Sequence, residues 1–200
     1  MLVGAILWRA TCTRRELART CANASHGLRA GIDHMAGQIR VRDARPEELD
    51  YVAQLLDESY RQYAHLMPAQ AWEAYRQDIR DVRARLPESQ LIVALLHEHL
   101  AGAVTLYIKR SETLPWPDGW AAIRLLGVHP NFRGNGIATA LVEECIQRSR
   151  KQGLRTVGLH TTVQMDVARR IYEKTGFVRA PEFDFHAEGT IVVMAYRLDI

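Results

Sequence analysis

The chain has 200 residues, 48% hydrophobic and 24% charged, the balance of one globular domain with room for a sizeable core. Its net charge of +3 comes from residues 1–36, where Arg9, Arg14, Arg15, Arg19 and Arg29 outnumber Glu16 and Asp33. The balanced remainder excludes a basic, aromatic-interleaved nucleic-acid face, and Cys12, Cys21 and Cys145 are too few and scattered for a disulfide framework or a zinc site.

Leu2–Trp8 is a short apolar run, far below the ~20 residues that span a bilayer. It lacks a basic leader and a small-residue cleavage site, so neither membrane nor secretion is expected, and the cytoplasm is the expected compartment. The Arg-rich, acid-poor segment is compatible with a transit peptide. The preferred reading is an upstream start codon with Met35 as the natural first residue, which makes residues 1–36 a poorly ordered extension and 37–200 the domain.

Ile39 and Val41 alternate with Arg40 and Arg42, as in a half-buried strand. Pro46 followed by Glu47 and Glu48 starts a helix, whose apolar face is Leu49, Val52, Ala53, Leu56, Tyr60 and Tyr63. A second helical stripe runs through Trp72, Tyr75, Ile79, Val82 and Leu86 to Pro87. The linker Leu66-Met67-Pro68-Ala69 between them is apolar enough to be partly covered. Strands over Leu91–Leu96 and Ala101–Ile108 form a hairpin around His97-Glu98-His99. His97 and His99 share a face, but with no further Cys or His beside them they read as solvated turn residues. Lys109–Gly119 is a charged, proline-bearing loop that exposes Trp116.

Leu125–Leu141, LLGVHPNFRGNGIATAL, organises the rest. The strand ending at Val128 breaks at His129-Pro130-Asn131, and Arg133-Gly134-Asn135-Gly136 feeds a helix with the stripe Ala138, Leu141, Val142, Cys145 and Ile146. A glycine turn before a helix gathers free N–H groups and the positive end of the dipole at one point. That point suits a phosphate. Side chains at Gly134 and Gly136 would hold an anion off, or forbid positive φ. Beyond the helix come a strand at Thr156–His160, a short helix lined by Val167, Ala168, Ile171 and Tyr172, and a closing strand pair, Phe177–Phe185 and Thr190–Leu198.

This order resembles the GNAT superfamily of acyl-CoA-dependent N-acyltransferases. Two motifs carry the likeness: Arg133-x-x-Gly136-x-Ala138, and Ala168 followed by Tyr172 and then Gly176-Phe177. The resemblance implies an α/β (α+β) fold with a mixed, mostly antiparallel sheet of about seven strands and about four helices over residues 38–198, splayed between the fourth and fifth strands. It implies acetyl-CoA as co-substrate, no metal, and a small-molecule or peptide amine as acceptor, with a homodimer left open. Leu126, Gly127 and Val128 would bond the pantetheine, and the amides of Arg133, Gly134, Asn135, Gly136, Ile137, Ala138 and Thr139 the pyrophosphate. The acceptor pocket would be walled by the Leu66–Ala71 linker and the Lys109–Trp120 loop, with Trp116, Tyr63 and Trp72 facing it.

An amine attacking a thioester needs donors for the oxyanion, here a backbone N–H such as that of Val128, and a proton for the thiolate. Tyr172 occupies the family's acid position. Two departures stand out. Met165 replaces the asparagine that many members carry, and Ala121, Ala122, Ile123 and Arg124 offer no strand carboxylate as base. His160, Glu58, Glu112, Asp184 or water are the substitutes. A non-catalytic acyl-CoA-binding domain and a nucleotide-binding α/β protein are the alternatives. The latter is disfavoured because no Gly-Lys-Ser/Thr loop follows and hairpins flank the motif.

Overall fold

The computed structural model describes residues 39–111, 114–187 and 191–200. The extension, with the Met35 start, therefore lies outside the described residues, as does Glu112. Among the described residues eight strands form one sheet in the order β1-β2-β3-β4-β5-β8-β6, with β7 also paired to β8. They are β1 (Ile39–Asp43), β2 (Gln90–Leu96), β3 (His99–Tyr107), β4 (Trp120–Val128), β5 (Thr156–Thr162), β6 (Val178–Arg179), β7 (Phe185–Ala187) and β8 (Ile191–Asp199). Among the described strands only β4 and β5 pair in parallel, because α4 (Ile137–Lys151) carries the chain back across the sheet between them. The fold is the expected mixed, mostly antiparallel one.

The strand and helix counts differ from expectation for local reasons. The segment expected as one strand, Phe177–Phe185, is interrupted by a 3-10 turn at Pro181–Phe183, since proline cannot donate to a ladder, and β6 and β7 are what remains. The second helical stripe divides at Asp81 into α2 (Ala69–Arg80) and α3 (Val82–Arg85), with the Asp81 carboxylate accepting the Ala84 N–H at 3.2 Å. The β2–β3 link shortens to His97-Glu98, both with positive φ, as a tight two-residue hairpin requires.

Both faces of the sheet are covered, which explains the nearly unbroken apolar run of β2. On one side α4 and α5 (Asp166–Lys174) pack Leu141, Val142, Cys145 and Tyr172 against Ile92, Val104, Ile123 and Leu159. On the other, α1 (Leu49–Tyr60) and α2 pack Val52, Leu56, Tyr60 and Tyr75 against Val93, Ala103 and Leu125. Met67 in the α1–α2 linker is buried, as its composition suggested. Among the described residues no helix is long and apolar enough to cross a membrane.

Candidate active site

The β4–β5 ladder runs from Trp120↔Thr156 to Ile123↔Leu159 and stops. Past that point β4 follows β3 alone, and there Leu125 and Leu126 oppose the single residue Val104. This is a β-bulge, and Leu125 takes φ +52° to make it. The His129 N–H donates to the Ala101 carbonyl at 2.9 Å. Alternation along an antiparallel pair therefore turns the Val128 N–H away from β3, into the gap that β5 has vacated. Two α1 contacts hold the bulge. The Tyr60 hydroxyl donates to the Leu126 carbonyl at 3.1 Å, and α1 lies so close that a Cβ on Gly127 would sit 2.4 Å from Ser59 Oγ and 2.8 Å from Leu56 Cδ2.

After β4 the chain makes the glycine turn. Gly134 and Gly136 hold φ of +81° and +80°, and the first α4 bond is Ala140 N–H to the Gly136 carbonyl at 3.0 Å. The amides of Ile137, Ala138 and Thr139 thus have no helical partner. A Cβ on Gly134 would meet nothing within 4 Å, and one on Gly136 only Ile39 Cδ1 at 3.8 Å. The requirement for glycine is thus the left-handed backbone, and the open space is room for a ligand. Arg133 is a strut: its guanidinium reaches Gln62 Oε1 at 3.0 Å and the Ser59 carbonyl at 3.1 Å. A groove of about 380 Å³ runs along this surface, and every residue expected to line it does so except Asn135. The Asn135 side-chain amide turns back onto the Phe132 and Arg133 carbonyls at 3.1 and 3.2 Å.

A second cavity, of about 620 Å³, opens on the far side of the gap, and Tyr60, Tyr63, Leu126, Met165 and Ala168 border both. Tyr172 belongs to this second space, 6% exposed. Its ring rests against Phe177, with centroids 5.9 Å apart. Burial pushes its phenol well above the usual value near 10, so it stands protonated. The Tyr60 proton is committed to Leu126, and Tyr63, Tyr75 and Tyr172 are the other phenols that border the cavity.

Trp116, expected to be exposed, is 8% exposed instead. Its ring lies flat over Gly158, where a Cβ would come within 2.7 Å, and stacks on His160 with centroids 4.4 Å apart. It forms a cavity wall with Phe185. Trp72, also expected at this pocket, does not border the cavity and instead packs edge-on against Tyr75. His160 borders the same cavity, and burial lowers its pKa below the ordinary 6.5. Its Nε2 lies 3.0 Å from the Phe183 carbonyl, an acceptor only, so Nε2 carries the proton.

Two other base candidates, Glu58 and Asp184, are engaged elsewhere. Glu58 pairs with His129 at 2.9 Å and borders neither space. Asp184 accepts from Arg179 at 2.6 Å and from the Ala195 N–H at 2.7 Å. Sequence reasoning missed the bulge, the Tyr60 bond and an ion pair in the cavity wall, Arg124 with Asp78 at 2.5 Å. Their common trait is contact between distant segments, for which no local pattern gives a signal.

A sheet split beside a parallel strand pair, with a glycine turn and helix N-terminus at its mouth, defines an acyltransferase-like α/β fold. Residues 49–177 match the acetyltransferase (GNAT) family, and the chain belongs to it. An uncharacterized N-acetyltransferase of Methanocaldococcus jannaschii is 40% identical over 57 residues, 28% of this chain and 25% of that protein. N-alpha-acetyltransferase 30 of Schizosaccharomyces pombe is 31% identical over 101 residues, 49% of this chain and 64% of the relative. The chain thus spans less than two thirds of either relative's length. Among solved structures, the PaiA N-acetyltransferase of Thermoplasma acidophilum in complex with coenzyme A superposes with a TM-score of 0.61 at 20% identity, over 79% of this chain and 98% of that one.

Proposed function

We propose that the chain is an N-acetyltransferase that moves an acetyl group from acetyl-CoA to a primary amine by direct attack. One observation carries the reading: a groove of outward-facing backbone donors runs into an aromatic cavity through the gap between β4 and β5. A long anionic thioester laid in the first delivers its acyl end to the second.

The groove's own chemistry fits CoA. Unpartnered amides at the start of α4 suit a pyrophosphate, no protein atom crowds Gly134, and the Val128 amide faces the gap where an amide-rich arm would run. Acetyl-CoA supplies an acyl carbon already activated as a thioester. The chain supplies the rest. The Val128 N–H meets the charge that develops on the carbonyl oxygen. Tyr60, by capping the Leu126 carbonyl, keeps a bare lone pair from opposing that charge. Tyr172 gives its proton to the departing thiolate. The acceptor attacks as the neutral amine, its surplus proton passing to water.

Calorimetry with CoA, acetyl-CoA and ATP tests the groove, with binding of the first two and none of the third expected. Thiol release on adding a panel of amines tests the chemistry. Tight CoA binding without thiol release for any amine would favour a silent acyl-CoA-binding domain.

A further inference from the structure

From β4, an arginine faces the acceptor cavity. Arg124 and its partner Asp78 both border the cavity, with side chains 23% and 34% exposed. Arg85, 8% exposed, borders the same cavity. It spends its guanidinium on the Asp78 and Ile79 carbonyls and leaves Nε without a partner. Asp78 and Asp81 balance Arg85 and Arg124 along the cavity wall, so the wall selects by the arrangement of its charges and not by their sum. A guanidinium beside a carboxylate is the complement of a molecule whose own carboxylate and amine lie side by side, as both do on the α-carbon of an amino acid. The apolar remainder of the cavity, with Tyr63, Trp116, Leu114 and Phe185, is left for a side chain.

We infer that the acceptor is a free α-amino acid with an apolar or aromatic side chain, its carboxylate held by Arg124 and its amine steered to the thioester by Asp78. The inference rests on the acetyltransferase reading and deepens it. The guanidinium fork takes a carboxylate through two parallel bonds. A peptide N-terminus, a lysine side chain or an arylalkylamine puts no carboxylate there and leaves the arginine with Asp78 as its carboxylate partner. In the transfer the amine nitrogen bonds the acetyl carbon and the C–S bond breaks, its pair going to sulfur. Sulfur takes the Tyr172 proton, and the proton shed by nitrogen returns through water to the phenolate. The products are an N-acetylamino acid and the CoA thiol.

The test uses the full chain and matched probes: L-phenylalanine and L-leucine, their amides, and the amines lacking the carboxyl group. Each is titrated calorimetrically into protein saturated with CoA, and each is assayed for thiol release from acetyl-CoA. The amino acids should bind, and react in kcat/KM, about tenfold or more better than their amides and amines, because only their carboxylate gives the guanidinium a further charge-assisted partner. Arg124→Gln should bring the amino acids down to the level of the amides and change the amides and amines less than about twofold, with CoA affinity unchanged. Arg124→Lys, which keeps the charge without the fork, should recover part of the loss. Melting temperatures of both variants report folding separately. Amides or simple amines as good as the amino acids, or an Arg124→Gln loss equal across all probes, would overturn the inference and leave the acetyltransferase reading standing. Failure to acetylate any amine, with CoA still bound, overturns both.

Discussion

Two spaces meet along the gap between β4 and β5, and they are made of different material. The groove presents backbone: left-handed glycines, unpartnered helix amides and the Val128 N–H. The cavity presents side chains: a phenol, an ion pair and a set of aromatic rings. A backbone-built surface should tolerate side-chain exchange and fail when main-chain conformation is altered. A side-chain-built one should behave the opposite way.

Tyr172→Phe should have the largest effect, on the cavity side. It keeps the ring against Phe177 and removes only the proton donor, so turnover should fall by about 10²–10⁴. The Kd for CoA should stay as it was, because the phenol borders the cavity and not the groove. Full activity in the variant would mean that water protonates the thiolate and that the two spaces do not divide the labour this way.

Gly127→Ala is the groove's counterpart. The added methyl would overlap Ser59 Oγ and Leu56 Cδ2, so α1 must shift, at a cost of about 1–3 kcal/mol by denaturant titration. Since α1 also anchors the bulge through Tyr60, CoA affinity should weaken along with stability. Gly136→Ala meets no protein atom closer than Ile39 Cδ1 at 3.8 Å, yet forces a side chain to φ +80°, at about 1–2 kcal/mol. Loss of CoA affinity in both variants, with no change in the acceptor preference of either, would sharpen the contrast. Intact CoA binding in both would break it.

The same contrast explains what could be read from residues alone. Arg133, Gly134, Gly136 and Ala138 stand within six positions of one another, so the turn they specify is local and its site legible. The place of Tyr172 on a short helix was legible because Ala168 and Gly176-Phe177 mark that helix and its end. The bulge at Leu125-Leu126 was not: an apolar pair inside an apolar strand reads the same with or without it. Trp116 misled for a related reason. A loop rich in proline and charge suggests exposure, while the bare patch on Gly158 that seats the ring lies on a strand more than 40 residues away.

Tyr60→Phe probes the seam between the two spaces. The ring keeps its edge contacts with Tyr63 and Tyr75 at 5.6 and 5.9 Å, and the variant loses one hydrogen bond to the Leu126 carbonyl. An ordinary hydrogen bond contributes about 1 kcal/mol, so a several-fold drop in kcat is expected. A packing role alone would leave kcat unchanged.

His160 should show the smallest effect and a pH signature. Its ring lies against Trp116 and Phe185, centroids 4.4 and 5.0 Å apart, and its Nε2–H is given to Phe183. Burial holds its folded pKa below the unfolded 6.5. Its contribution to stability is therefore complete above about 6.5 and is lost as pH falls through the lower folded value, where the buried ring must charge. His160→Gln removes that titration, so melting temperatures of the variant should vary less between pH 7 and pH 5 than those of the parent. On the rate side, His160 is already neutral above its ordinary pKa. Between about pH 7 and 9 the profile should follow deprotonation of the acceptor amine, whose ordinary pKa lies well above neutrality. His160→Gln should then shift the level of kcat/KM without changing the shape of its pH dependence. A plateau governed by an ionisation near 6–7 and abolished in His160→Gln would make this histidine the base, acting through Nδ1, the nitrogen that Phe183 leaves unprotonated.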